Sequence, residues 1–400
     1  MKGAFAMAFT NQYPAVFVHG VYGWGPEEGI DRKLPYWGAS AGNLMDFLMM
    51  KGYESYAVSV GPVSSAWDRA CEIYACLTGT TVDYGVAHSA KHNHRRFGRT
   101  YAKPLFQGFS AEKKIHLIGH SFGGSSVRVF AYLMAFGSEE ERKATPDGKL
   151  SGLFTGGKAD WISSVTTLCA PHNGSQLINL SNEIKLMPIV KRITLDWVST
   201  VGRTAIQSRL VDFHLEQFGA NNTPGKQDLR DYLQVRRVLK KTTDSVQIDL
   251  MKQGSEELNH WLRIVPSIYY FSYYFNCVSR VGRADNYRAT DADFPFLRDM
   301  ANLVLRYYRR DMLTGRKSYD ELAGDGLVQI ASAMHPNNEP FKDYDPENIE
   351  PGVWQVMPEQ RGDHGTAIGL FAPKERTHAF YLQLLSVLCG IEEKAPEAAK

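Results

Sequence analysis

A serine becomes a nucleophile only when a base can take its proton, so the residues to find first are a serine on a sharp turn, a histidine and a carboxylate. Gly119-His120-Ser121-Phe122-Gly123 sets a serine between glycines, after the apolar run in "KIHLIGHS" and before the helix-like "SVRVFAYLMAFG". Strand, Gly-x-Ser-x-Gly and helix in that order are the context of a nucleophile elbow. Its strained turn pushes the serine Oγ out at the carboxyl end of a sheet, where the next helix N-terminus helps to hold a developing oxyanion. The pentapeptide alone could be a glycine turn with an incidental serine; the flanking strand and helix decide for the nucleophile. Acid and base then follow in the order Ser, acid, His. Of the downstream histidines, His364 lies in the Gly-flanked loop "QRGDHGTAIG" before the last helical pattern, whereas His378 lies inside that pattern. Asp325 in "LAGDGLVQ" is bracketed by glycines and precedes His364 by 39 residues. Asp363 is adjacent to the histidine, and neighbouring side chains diverge, so Asp325 is the expected acid. The loop after the first strand, "FVHGVYGWG", should supply a second oxyanion donor, the Val21 N–H, to pair with that of Phe122. His19 reads as a structural histidine beside that hole.

A second group could hold a metal. His88, His92 and His94, with Asp68 upstream, offer the N and O ligands that zinc accepts. Spacing alone favours His88 with His92, which would share a face if the stretch were helical. Its glycines and polar residues argue against a helix, and Lys91, Arg95, Arg96 and Arg99 crowd the same stretch, as in a solvated basic loop.

Positioning these groups takes alternating strands and helices. "AVFVHG", "YESYAVSVGP", "KIHLIGHS" and "WISSVTTLCAPH" read as strands, with the helical "AGNLMDFLMMKG" and "SVRVFAYLMAFG" between them, so a mostly parallel α/β sheet flanked by helices is expected. From about 176 to 264 the pattern is mainly helical and carries more apolar positions than one buried helix face uses, as in "IKLMPIVKRITLDWVSTV". It reads as an insertion in one domain spanning 1–390. "SIYYFSYYF" restores a strand, "GDGLVQIASA" sits near another, "THAFYLQLLSVLCG" closes as a helix, and 391–400 reads as a tail. A net charge of +2 on 400 residues gives no reason to expect nucleic acid. Five scattered cysteines suggest buried thiols rather than a disulfide framework. No apolar run reaches the length of about 18 residues that a membrane span needs. "MKGAFAMAFTNQYP" is short for a signal peptide, leaving an intracellular protein or one whose leader has been removed.

The chain resembles the zinc-containing bacterial true lipases, the thermoalkalophilic and staphylococcal group of the α/β-hydrolase superfamily. The resemblance rests on "VFVHGVYGWG", on the long block from Val60 to Tyr101, on the elbow and on "SVTTLCAPHNGS", and runs from about residue 13 to 390. It implies a Ser121, Asp325, His364 triad, a lid within the helical insertion that meets the lipid–water interface, and structural zinc on Asp68, His88, His94 and Asp244. Where spacing and resemblance disagree over His92 and His94, the resemblance is preferred. It also implies an absence. The family holds calcium beside the catalytic histidine with a Glu two positions on and an Asp seven positions on; here those positions are Thr366 and Phe371. Without either carboxylate no calcium is expected, and Ile368, Leu370 and Phe371 should hold the loop by apolar packing. The expected activity is hydrolysis of lipid esters, triacylglycerols first among them. A phospholipase or acyltransferase using the same triad is the near alternative, and an inactive binding protein on this fold the distant one.

Overall fold

The computed structural model describes residues 10–146, 148–183, 212–220, 237–238, 241–282 and 286–391. Seven short strands form its main sheet: β1 (Ala15–Val18), β2 (Ser55–Ala57), β3 (Ile115–His120), β4 (Ile162–Leu168), β5 (Tyr269–Tyr273), β6 (Phe341–Asp343) and β7 (Trp354–Val356). Their spatial order is β6-β7-β5-β4-β3-β1-β2, and every neighbouring pair is parallel. A parallel sheet needs helices on both faces, and the central strands β3 and β4 are accordingly buried at every residue.

Five helices matter here: α1 (Ala66–Thr78), α2 (Val86–His92), α3 (Phe122–Phe136), α4 (Pro295–Tyr307) and α5 (Lys374–Cys389). Helix α1 starts where Ser65 Oγ accepts the Asp68 N–H at 3.2 Å, and ends at Gly79 in the left-handed conformation. On one face of the sheet, Ala70, Ile73 and Leu77 of α1 share a core with Val127, Phe130 and Leu133 of α3. On the other face, Leu44 and Leu48 join Tyr381, Leu384 and Leu388 of α5 beneath Phe17 and Phe271. Burying each large side chain of this kind contributes roughly 1.5–3 kcal/mol, and Phe130→Ala should cost about 3–5 kcal/mol.

The expected parallel α/β architecture is present, but its last strands are not where the pattern suggested. "GDGLVQIASA" is a turn closed by a Gly324–Gln329 bridge and followed by a short helix at Ile330–Ala333. Strands β6 and β7 come later, three residues each at the sheet's edge, too short to carry an alternation that a reader could see. Of the 176–264 insertion, helices at Gln176–Glu183, Val246–Asp249 and Lys252–Trp261 are described, while 184–211, 221–236 and 239–240, with the apolar run expected to form the lid, lie outside the described residues. Ile391, the first residue of the expected tail, is packed into the core; 392–400 lie outside the described residues. All five cysteines are buried free thiols. Among the described residues no helix is long and apolar enough to cross a membrane.

Candidate active site and metal site

Ser121 joins β3 to α3 at φ 55°, ψ −128°, a backbone strain of order 1–3 kcal/mol that surrounding structure must impose. The glycines are there because space allows nothing else. A Cβ on Gly119 would lie 2.4 Å from the Gly123 carbonyl oxygen, and one on Gly123 would lie 2.2 Å from that of Val18. The Ser121 N–H is tied to Leu168 O of the adjacent strand at 2.8 Å, which fixes the turn against β4. Gly20 also approaches closely: a Cβ there would meet the Ser121 Cβ at 2.8 Å. The loop after β1, with Val21 next in line, therefore packs against the nucleophile turn. Phe122 is the first residue of α3, where backbone N–H groups have no intrahelical acceptor.

His364 and Asp325 meet, as their order in the chain requires. His364 Nδ1 lies 2.7 Å from Asp325 Oδ2, and the His364 N–H donates to the Asp325 carbonyl at 2.9 Å. Asp325 Oδ1 accepts from the N–H groups of Leu327 and Val328 at 2.9 and 2.8 Å, so the fully buried carboxylate is oriented by its own turn. Asp363 does not touch the imidazole. Its carboxylate accepts from the backbone N–H groups of Gly365, Thr366 and Phe294, the last at 2.8 Å, and so closes the loop and binds it to the start of α4. The expected apolar packing of that loop needs correction. Ile368 is in the core and Leu370 packs against it, but Phe371 is 55 % exposed at φ 57°, with its ring 5.1 Å from that of Phe294. Asp363 supplies the loop's polar closure; the Phe371 position turns outward because its left-handed backbone directs the side chain away from the core.

Residues that sequence reasoning passed over hold the two sides of this site together. Tyr36 Oη accepts the Gly20 N–H at 2.9 Å and lies 2.7 Å from His120 Nδ1, while His120 Nε2 lies 3.1 Å from the His364 carbonyl. Since the His364 carbonyl can only accept, His120 Nε2 carries the proton and donates to it, which leaves Nδ1 of the neutral ring to accept from the Tyr36 hydroxyl. Burial, then the nearby His364, hold His120 well below the ordinary imidazole range, consistent with that neutral tautomer. His19 is likewise buried and kept neutral by burial and Arg69, with Nδ1 2.9 Å from the Gly20 carbonyl. The buried Arg69 guanidinium donates to the carbonyls of His19 and Gly20. Cys169, at φ 54°, adjoins the acid: burial, then Asp325, push its thiol well up, so it is a protonated neighbour. His120 was visible only as a variable position of the pentapeptide, and nothing in the sequence marks Tyr36.

The second cluster also assembles. Ligand atoms of Asp68, His88, His94 and Asp244 lie within 4.8 Å of one another. His88 Nε2 is 3.4 Å from Asp68 Oδ1 and 3.0 Å from Asp244 Oδ2, and His94 Nε2 is 3.1 Å from Asp244 Oδ2. Against the expectation of a loop, Val86–His92 is helical. His92 nevertheless stays outside the group: Asn93, at φ 56°, ends the helix and turns the chain back, so His94 rather than His92 reaches the carboxylates. The donor set suits a divalent cation. Asp68 Oδ1 is buried without a hydrogen-bond partner, a position that costs free energy unless something positive faces it. Asp68 Oδ2 is held by Gln217 Nε2 at 3.0 Å, and His94 Nδ1 lies 2.8 Å from Arg95 O, which aims Nε2 at the cluster. Burial lowers the affinity of His88 for a proton, yet Asp244 and Asp68 outweigh it and raise its pKa to about 10; without a metal, protons take the place of positive charge. A further group, His120, Cys169 and His364, has metal-like spacing but belongs to the hydrogen-bonded site above.

The family described as "Lipase-like, C-terminal domain" matches residues 11–392, nearly the whole chain. The chain belongs to this family. Within the lipase-like family, it is 33 % identical over 369 residues to Lipase 1 of Staphylococcus aureus (strain MRSA252) and 34 % identical over 403 residues to Lipase 2 of S. aureus (strain MSSA476). Those alignments cover 90 % and 96 % of this chain but 51 % and 54 % of the relatives, so the chain spans about half the length of the curated relatives it matches. Among solved structures, EstA from Clostridium botulinum is 33 % identical with a TM-score of 0.79, covering 98 % of this chain and 90 % of EstA. Staphylococcus hyicus lipase is 28 % identical with a TM-score of 0.80, covering 95 % of this chain and 96 % of that one. The fold is that of the α/β-hydrolase lipases.

Proposed function

We propose that this protein hydrolyses lipid esters, triacylglycerols first among them, through an acyl-enzyme on Ser121. The observation that carries the reading is a strained serine at φ 55° whose neighbour His120 packs its ring 4.7 Å from that of His364, a histidine hydrogen-bonded at 2.7 Å to a buried aspartate. Ser121 Oγ attacks the ester carbonyl as His364 takes its proton, and the alcohol leaves with that proton. Water repeats the sequence on the acyl-enzyme and releases the fatty acid. Asp325 orients the imidazole and stabilises its charged form, and the Val21 and Phe122 N–H groups receive the oxyanion. That the relatives in Staphylococcus aureus are named lipases supports a lipid ester over a small polar one.

Zinc is part of the proposal. Asp68, His88, His94 and Asp244 would hold it, and four protein ligands with no open position make such a site structural. The role of these side chains is to join α1, α2 and the segment before Val246–Asp249, the described edge of the insertion. The insertion itself is proposed to act as a lid that opens at a lipid surface. Ser121→Ala tests the nucleophile: hydrolysis of tributyrin and trioctanoin emulsions should fall on the order of 10⁴–10⁶-fold with an unchanged melting temperature. Activity near wild type would remove Ser121 from the mechanism, and phosphatidylcholine in the same assay separates a phospholipase.

A further inference from the structure

Helix α4 has two apolar faces where a surface helix has one. Leu297 is buried, and Ala301, Val304 and Leu305 lie in a small core with Cys277 and Leu322. The solvent side should then be polar. Instead Phe296, Leu303 and Tyr307 are 53 %, 37 % and 48 % exposed. Their spacing of i, i+7 and i+11 stacks them in one stripe, with Met300 between. The short helix that follows, Arg309–Leu313, adds an exposed Leu313. Four of the twelve large hydrophobic residues most exposed among those described thus fall on one 18-residue stretch.

Charge accompanies the stripe. Residues 295–317 carry six basic side chains (Arg298, Arg306, Arg309, Arg310, Arg316, Lys317) against two acidic ones (Asp299, Asp311), a net of +4 where the entire chain has +2. Arg306, Arg309 and Arg310 are exposed and make no salt bridge among the described residues. Apolar side chains bordered by arginines suit a surface with an apolar interior and anionic head groups. They suit a second copy of the chain poorly, because two such faces would oppose +4 to +4.

The stripe also begins at the candidate active site. The Phe294 N–H, just before α4, is bonded to Asp363 beside His364, and the Leu297 carbonyl lies 2.7 Å from where a Cβ on Gly326 would be, beside Asp325. The exposed Phe371 ring, in the His364 loop, continues the patch through Phe294 to Phe296 at centroid separations of 5.1 and 6.0 Å.

We infer that the outer face of α4, with Phe371 and Arg306, Arg309 and Arg310, is a docking surface for anionic lipid, which seats the Ser121 site at the surface of its substrate. The purpose assigned to the docking rests on the proposed lipid-ester hydrolysis; the binding itself does not. Binding is therefore measured on Ser121→Ala protein, so that no lipid is consumed, by flotation with phosphatidylcholine vesicles containing no or 30 mol % phosphatidylglycerol. Binding should be at least tenfold stronger to the anionic vesicles and weaken in high salt. F296S/L303S/Y307S should lower it at least tenfold. R306Q/R309Q/R310Q should lower it on the order of 100-fold, at roughly fivefold per arginine near an anionic surface. Both triple variants, made with Ser121 intact, should hydrolyse soluble p-nitrophenyl butyrate at the wild-type rate, which also shows that they fold. Undiminished binding of either variant overturns the inference, as does a dimer in solution that F296S/L303S/Y307S dissociates. Vesicle binding without any ester hydrolysis would leave the docking surface in place and remove the proposed activity instead.

Discussion

Tyr36→Phe removes one oxygen from a buried site, and the structure says what that oxygen holds. Its hydroxyl accepts the Gly20 N–H at 2.9 Å and donates to His120 Nδ1 at 2.7 Å. Phenylalanine fills nearly the same volume, so packing changes little, but a buried donor and a buried acceptor lose their partners together. Each unsatisfied group costs about 1–3 kcal/mol, giving roughly 2–5 kcal/mol after partial relaxation. With about 2.1 cal/mol/K of unfolding entropy per residue, a chain of 400 residues should lose roughly 2–6 °C in melting temperature. Activity should respond as well. Gly20 precedes the Val21 donor, and His120 anchors the His364 carbonyl at 3.1 Å, so both the oxyanion site and the base lose a support. A displacement approaching 1 Å can cost on the order of 100-fold, and we expect kcat on p-nitrophenyl butyrate to fall 10- to 100-fold with KM nearly unchanged. Tyr101→Phe is the control. That buried hydroxyl donates to Ser59 O at 2.6 Å, away from the nucleophile, and its loss should lower the melting temperature while leaving kcat within about twofold. Wild-type kcat and melting temperature in Tyr36→Phe would refute the reasoning; equal losses of kcat in both variants would show a general effect of stability.

The purified protein should contain about one zinc per chain, and its removal should lower the melting temperature by several degrees, because binding energy at a structural site is folding energy; metal-free protein of unchanged stability would exclude the site. Selective calcium chelation should alter neither activity nor melting temperature, since positions 366 and 371 carry no carboxylate; a calcium-dependent rise in melting temperature, abolished by substitutions in the 364–371 loop, would refute this. His116 is fully buried between Asn11 and Ser164, and burial lowers its pKa to about 3. The unfolded chain binds a proton there near pH 6.5 while the folded one does not, so this residue's contribution is lost as pH falls from about 6.5 toward 3, by about 1.4 kcal/mol per unit. His116→Gln should be less stable at pH 8, and urea unfolding at pH 8, 6, 5 and 4 should show the gap to wild type narrowing by that amount per unit; parallel profiles would contradict the assignment.

Much of the site was legible because chemistry restricts what can stand in certain places. Gly119 and Gly123, two positions to either side of Ser121, stand where β3, α3 and β1 converge too closely for a side chain, and that demand writes itself into the sequence as glycine. Asp325 and His364 could be ranked because glycine-flanked turns differ visibly from the helical pattern that carries His378, whose ring stacks on that of Phe47. That a metal group was possible could be read from residue types, but the choice of His94 over His92 and the inclusion of Asp244 came only through resemblance. Its four ligands come from the first turn of α1, from α2, from the turn after it and from a segment 150 residues further on, and no local periodicity links them. The helical state of Val86–His92 was misread because seven residues hold too few positions for a period to show. Strands β6 and β7 failed for the same reason. Tyr36 was invisible because a tyrosine in a loop carries no sign that its hydroxyl will be buried.

That last omission bears on how a site of this kind keeps its geometry. The proposed oxyanion donor Val21 lies in the loop after β1, and the proposed base His364 in a loop more than 340 residues away in sequence. Parallel strands give no direct bond between the two, since β1 pairs with β3 and β2, while His364 follows β7 at the far side of β5. The path from Gly20 through Tyr36 and His120 to His364 crosses that gap with three hydrogen bonds. Its central member occupies the position before the nucleophile, so Ser121 shares a backbone with the group that joins the other two parts. A shift of either loop must then stretch a bond to the strand that carries the serine, and the three functional groups are positioned against one element, the carboxyl end of β3. A neutral imidazole is suited to that position because it accepts on one side and donates on the other. A charged one would donate on both, and the Tyr36 hydroxyl would have to turn its proton away from His120 while still receiving that of Gly20.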